Sequence, residues 1–310
     1  TANDDDTRML GNSRLGHGVL LSLMARFGQS GRRIGYPEAM VAYSGNRPCI
    51  DIQHAGVTRA VKSLIQTLFL LLATWLLLPA LCLADRPGDF EARLELYRND
   101  KLTGETLFQL ITRDEQWQMV SETKGTKGLT SWIGLRENST GEGDWHEGRP
   151  RPLRYDRKVT AVISREWSAD FNWAEGVVRT SYPDGESTLQ LEPGVVDEMA
   201  LGLVIRKGLN NGETEWFLRQ VDEDEIEDVH FRVSSVESVQ TPLGCLRTHV
   251  VEKVRAATSK RYTRTYYAAD HAFAPVLIEH GKHGGDHVRG QVIALQVNGK
   301  PVKAGPDCPS

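Results

Sequence analysis

From Phe90 onward, short runs of alternating apolar and polar residues are interrupted every few positions by Gly, Asn, Asp or Pro. This rhythm leaves few architectures open, because a period of two is that of a half-buried strand. Phe90, Ala92, Leu94 and Leu96 face one way, and Glu91, Arg93 and Glu95 the other. Asn99, Asp100 and Gly104 read as a turn, Glu105 to Thr112 as the return strand, and Trp117 to Glu122 as a third strand before the flexible KGTKG. Further strands are predicted at Leu129 to Arg136, Leu153 to Val159, Ile163 to Asn172, Val177 to Tyr182 and Thr188 to Leu191, with NSTGEGD, EGRPRP, AEG and PDGE as separators. After an interruption the rhythm resumes at Glu215 to Val221, Val229 to Val239, Gly244 to Val254, Arg261 to Ala268, Val276 to Glu279 and Val288 to Val297.

The interruption is Val195 to Lys207, VVDEMALGLVIRK, which places Val196, Met199 and Leu203 on one face at helical spacing and meets Gly208 at its end. Asp197 and Glu198 near its start, and Arg206 and Lys207 near its end, suit the helix dipole. Strands this closely spaced form an antiparallel meander, and so many in one domain must curl or close to limit exposed edges. The expected fold is mainly β: a strongly curved antiparallel meander or open β-barrel with one packed α-helix.

A second feature concerns destination. Leu68 to Ala84 is an apolar run, and no charged residue occurs between Lys62 and Asp85. Arg59 and Lys62 supply a basic start, Pro79 breaks the apolar helix, and Cys82 and Ala84 occupy the −3 and −1 positions of a cleavage site between Ala84 and Asp85. Residues 57–84 therefore read as a signal peptide and 85–310 as a single β-rich exported domain, placed in the periplasm. A retained inner-membrane anchor facing the periplasm is the alternative, since about 20 apolar residues span a bilayer; lipidation at Cys82 is disfavoured by the bulky Leu81 before it. Residues 1–56 show no sustained period and read as a disordered leader or a mis-set start, with a start at Val57 leaving a compact basic region before the apolar helix.

Residues 85–310 hold 29 Lys and Arg against 36 Asp and Glu. That balance argues against nucleic acid as the partner and is a poor sign for anionic lipid headgroups. Phosphate-cradling glycine loops before a helix are missing, which argues against nucleotide. Two cysteines remain after cleavage, Cys245 and Cys308, and in an oxidising compartment an even pair invites a disulfide; two independent thiols are the alternative.

Candidate chemistry is sparse. His280, His283 and His287 in EHGKHGGDHVRG, beside Glu279 and Asp286, are candidate metal ligands. Gly281, Gly284 and Gly285 make the stretch a hairpin tip, and a solvated tip is the competing reading. A GxSxG elbow is absent, and Cys245 and His249, four apart on a strand, stand roughly 13 Å from each other. The acidic run DEDEIED, Asp222 to Asp228, lacks the glycine and spacing of a calcium loop and reads as another hairpin tip. Trp132, Trp145, Tyr155, Trp167, Phe171 and Trp173 crowd the first half. They fit ordinary sheet packing, or an apolar groove inside a curved sheet able to hold an acyl chain or a partner's strand. In RYTRTYYAAD, Arg261 and Arg264 fall on opposite faces, so at least one is expected to pair with a neighbouring carboxylate.

The order ELYRNDKLTGE, VVDEMALGLVIRKGLNNGE, TPLGCLRTHVVEKV and RYTRTYYAADHAFAPVLIEH resembles the bacterial domain-of-unknown-function 3108 family, over about Phe90 to Val297. The resemblance implies an exported envelope protein without assigned activity, and it carries over no catalytic residues or cofactor. The expected role is binding or assembly, with lipid or another envelope protein as partner. The alternative is a metal-dependent or other hydrolase using the His280–His287 region.

Overall fold

The structure is a computed structural model that describes residues 86–308; the leader, the apolar run and the cleavage position Ala84–Asp85 lie outside the described residues. The first half contributes β1 (Phe90–Arg98), β2 (Lys101–Arg113), β3 (Gln116–Gly125), a short helix α1 (Gly128–Trp132), β4 (Arg136–His146), β5 (Arg149–Thr160), β6 (Arg165–Asn172), β7 (Val177–Tyr182) and β8 (Gly185–Gln190). The second half contributes β9 (Val195–Val196), the long helix α2 (Glu198–Asn210), β10 (Glu215–Asp222), β11 (Glu225–Thr241), β12 (Gly244–Lys253), β13 (Arg261–Ala268), β14 (Ala274–Lys282), β15 (His287–Val297) and β16 (Lys300–Pro301).

All sixteen strands belong to one sheet, ordered β8-β7-β6-β5-β4-β3-β2-β1-β15-β14-β13-β12-β11-β10-β9, with β16 paired to β15. Sequence neighbours pair antiparallel on both flanks of the central β1–β15 ladder, so β1 is the seam where the second half returns to the first. Among the described strands β9 alone pairs in parallel, with β10. The two edges, β8 and β9, are joined by a loop of only four residues, so the sheet must curl until its ends approach. Side chains bridge that gap: Trp167 of β6 donates through Nε1 to Glu223 Oε1 at 2.9 Å, and Thr180 of β7 donates to the Glu223 carbonyl at 2.6 Å. The result is an open, barrel-like curved sheet.

Helix α2 lies against the concave face and is buried almost all round. Asp197 caps its N-terminus, its Oδ1 accepting from the backbone N–H groups of Met199 at 2.6 Å and Ala200 at 2.8 Å. Met199, Leu201, Leu203, Ile205 and Leu209 enter the main core beside Phe108, Trp117 and Met119, at about 1.5–3 kcal/mol for each such side chain. Near the C-terminal end, fully buried Arg206 donates to the carbonyls of Phe273 (3.1 Å), Gly88 (2.8 Å) and Ala272 (2.8 Å), and its guanidinium stacks over Phe90. Cys245 and Cys308 are joined by a disulfide, which holds the tail against the start of β12.

Several boundaries differ from the sequence expectation. Leu129 to Arg136 is not a strand: Gly128–Trp132 is helical and β4 begins at Arg136. NSTGEGD is the middle of β4, and the RPRP of EGRPRP begins β5. Gly104 lies inside β2, which starts at Lys101. Val195 and Val196 form β9, while α2 starts one residue after Asp197 and runs through Gly208 to Asn210. The glycines of β4 misled because they serve packing: a Cβ at Gly141 would stand 2.5 Å from Met199 Cβ, and one at Gly143 would collide with the Trp117 ring.

Two outcomes follow for stability. Gly141→Ala forces α2 off the sheet, and we expect a loss of about 1–3 kcal/mol, read as a lower urea midpoint at unchanged slope. Cys308→Ser opens a loop with a sequence separation of 63 residues, and we expect a loss of about 4 kcal/mol in the chain-entropy account, matched by reductant acting on the unsubstituted protein.

Candidate functional site

The end of the sheet bearing the Asn99-Asp100 turn also bears the β5–β6, β7–β8, β10–β11 and β14–β15 turns, because the strands are antiparallel; it is called the upper end here. Along the inward faces the chemistry changes on the way up. In β3 the buried series runs Trp117, Met119, Ser121, Thr123. In β13 it runs, from below, Tyr267, Thr265, Thr263. In β4 it runs from Trp145 through Gly143 and Gly141 to Ser139 and Glu137. In β3 and β4 the period-two burial is unbroken, so their polar groups are held inside by strand register.

The densest part of this polar lining sits above the N-terminus of α2. Arg157 of β5 donates through Nε to Glu137 Oε1 of β4 at 2.8 Å, and both side chains are nearly inaccessible to solvent. The guanidinium lies 4.6 Å from the Trp167 ring centroid. Tyr155 donates its hydroxyl to Glu198 Oε2 at 2.9 Å. Gln220 of β10 is buried beside them. A cavity of about 40 Å³ opens between Tyr155, Arg157, Trp167, Glu198 and Gln220, room for more than one water. Arg157 Nη2, Glu198 Oε1, Asp197 Oδ2 and both amide atoms of Gln220 have no hydrogen-bond partner among the described residues.

Burial sets the electrostatics. It raises Glu198 to about 8, with Arg157 and the Tyr155 hydroxyl pulling the other way. Burial likewise lifts Asp197 to about 7 against its bonds to backbone N–H groups. Tyr155 is raised well above its usual value by burial and by Glu198. Burial opposes the Arg157 charge, but Glu137, Tyr155 and Glu198 outweigh it and its pKa rises. Around the rim, burial and Arg255 lower Lys253 to about 8, and burial with Arg255 and Arg261 lowers His280 to about 4. The arrangement can donate and accept hydrogen bonds from a rigid frame, and its carboxyls can hold protons near neutral pH.

The sequence-predicted residues fall elsewhere and do not converge. His280 faces inward, its Nδ1 3.1 Å from Thr263 Oγ1. His283 packs its ring 5.0 Å from that of Tyr262 at the turn, and His287 Nε2 lies 3.4 Å from Asp100 Oδ1. Among the described residues no group of three or more His, Cys, Asp or Glu could hold a metal ion. Cys245 is committed to its disulfide, and His249 packs edge-on against Phe273. The acidic run contributes the β10–β11 turn, with Asp222 and Glu225 paired across it. Trp145 enters the main core, Phe171 and Trp167 enter smaller clusters, and Trp132 is 82 % exposed on α1. Arg264 lies 3.8 Å from Glu252 and 5.6 Å from the Tyr262 centroid. Glu137, Arg157, Glu198 and Gln220 were missed, although Arg157 carries a legible signal: it is a charge in phase with Tyr155 and Val159 in the expected strand.

Fold and site together define a helix-plugged, open β-barrel-like protein with a polar upper interior. The family model described as "Protein of unknown function (DUF3108)" matches residues 95–282, from β1 through β14, and the chain belongs to that family. A crystal structure described as a beta-barrel-like protein of domain of unknown function DUF1849 from Brucella abortus is similar at 10% identity and a TM-score of 0.47, over 68% of this chain and 98% of that one. A search of curated proteins finds no match.

The buried carboxyl yields a pH prediction. Glu198 binds its proton more tightly folded than unfolded, so between about pH 4.5 and 8 it makes folding less favourable as pH rises. Asp197 acts in the same sense. His280, held neutral, opposes them by favouring the fold as pH rises from about 4 to 6.5. Glu198→Gln keeps an acceptor for Tyr155 and removes one titration. We expect the variant to gain on the unsubstituted protein by a few kcal/mol between pH 5 and pH 8, measured by urea unfolding at both pH values.

Proposed function

We propose that this protein is exported to the periplasm and acts there as a binding protein, with the polar upper interior of the curved sheet as its ligand site. The observation that carries the reading is the cluster at the α2 N-terminus, where Arg157, Glu198 and Gln220 keep unpartnered polar atoms around a cavity. Leaving such groups buried and unpaired is costly, and a ligand or ordered water that supplies partners removes that cost. The lining supports a polar, hydrogen-bonding ligand over an acyl chain, which would leave the same atoms unsatisfied. Export is supported by the basic-apolar-small pattern of residues 57–84 and by the disulfide, which suits an oxidising compartment.

Native mass spectrometry of protein recovered from the periplasm tests both parts. We expect a mature chain starting at Asp85 that carries a small polar adduct, and loss of the adduct in Gln220→Leu. A chain found only in the cytosol, or an adduct-free mass under conditions that retain non-covalent ligands, would overturn the proposal.

A further inference from the structure

Four of the eight large hydrophobic side chains exposed among the described residues gather at one corner of the upper end: Leu129 (63 % exposed) and Trp132 (82 %) on α1, and Val162 (79 %) and Ile163 (71 %) in the β5–β6 turn. The two segments are neighbours. Arg136, just after α1, pairs with Thr160, just before the turn, and a buried cluster of Leu135, Val159 and Trp167 lies beneath, with Ile133 and Ala161 packed on it. The corner is held in shape. Thr130 Oγ1 donates to the Thr103 carbonyl at 2.5 Å, Gly125 N–H to the Leu135 carbonyl at 2.8 Å, and Thr126 N–H to the Thr103 carbonyl at 3.0 Å. A tryptophan on so well tethered a turn is presented outward by the fold, and it stays there at the cost of exposed apolar area.

The charges around it differ from those of the whole chain. Residues 122–136 and 158–166 carry Lys124, Lys127, Arg136, Lys158 and Arg165 against only Glu122 and Glu166, although the chain as a whole is net −4. All five cations are exposed; Lys124 pairs with Glu105 and Lys158 with Glu166. The acidic β10–β11 turn adjoins this corner on the side of Trp167, whose Nε1 donates to Glu223. A planar anionic surface would attract the Lys and Arg side of the corner and be repelled by the adjoining acidic turn, which would tilt the protein onto its basic side. An aromatic and aliphatic tip ringed by Lys and Arg has the chemistry of a membrane–water interface: the rings and branched chains enter the headgroup boundary while the long basic side chains stay in water.

We propose that Leu129, Trp132, Val162 and Ile163, ringed by these basic residues, dock the protein onto an anionic lipid surface, with the polar mouth beside it. The proposal goes beyond ligand binding inside the sheet and does not depend on it.

The test uses the mature chain starting at Asp85, so that the apolar run of residues 68–84 does not itself hold the protein on the membrane, with vesicles of phosphatidylglycerol and phosphatidylethanolamine bearing brominated acyl chains. The emission of Trp132, taken as the difference between the unsubstituted chain and Trp132→Phe, should be quenched by these vesicles, and less so by phosphatidylcholine ones. Val162→Asp with Ile163→Asp should weaken partitioning by about tenfold while leaving the melting temperature and far-ultraviolet spectrum unchanged. Unquenched Trp132 emission on vesicles that nonetheless bind the chain would overturn the proposal. So would equal partitioning of the double variant, or a crosslink from Trp132→Cys that captures a protein partner in place of lipid.

Discussion

Everything in this molecule is arranged around a helix with little surface on which to show a polar face. α2 is buried almost all round by the sheet that wraps it, so its buried unpaired groups need partners from inside the protein. At the N-terminus Asp197 supplies it, as a fully buried cap. Near the C-terminus Arg206 converts one buried cation into three bonds to carbonyls of Gly88, Ala272 and Phe273, tying the entry of β1 to the β13–β14 turn. Ala272 and Phe273 both adopt the left-handed region, at φ +52 and +50, a conformation unusual for such residues. Their carbonyls are thereby held where the guanidinium needs them.

The same helix explains why the curled sheet stays open, with no backbone ladder between its ends. β8 leads through a short loop to β9 and α2, so the chain must cross the gap where the strands stop pairing. The gap is spanned by contacts from Glu223 to Trp167 and Thr180, and by Tyr155 reaching Glu198. A seam made of side chains is adjustable where a ladder is not, and the unpartnered groups of Gln220 and Arg157 collect beside it. The three histidines of the β14–β15 hairpin lie apart from that seam and point to Thr263, Tyr262 and Asp100 and not to one another.

Much of the sheet was legible from residue order. β1, β6, β7, β12, β13 and β15 fall close to their expected limits because strict alternation, bounded by turn residues, is a local property. β4 was not legible, since Asn138, Ser139, Gly141 and Gly143 carry turn chemistry in isolation and become strand only because Met199 and Trp117 press against them. The exposed pair Leu129 and Trp132 looked like the start of a strand and is a tethered helical turn. The candidate site was less visible still. Its residues come from β4, β5, α2 and β10, and a charge at an inward strand position signals burial but not its partner.

The amino-acid order by itself determined the class of the fold, the antiparallel connections and the one long helix, because periodicity and turn chemistry act between residues close in the chain. Tertiary structure alone decided that the helix lies inside the curl, that Arg157 meets Glu137 and Tyr155 meets Glu198, and that buried polar side chains concentrate in the upper interior. Those outcomes depend on which strands face one another across the concavity. That is set by the curvature of the whole sheet and by the glycines that let the helix approach it, and no local stretch of sequence contains either.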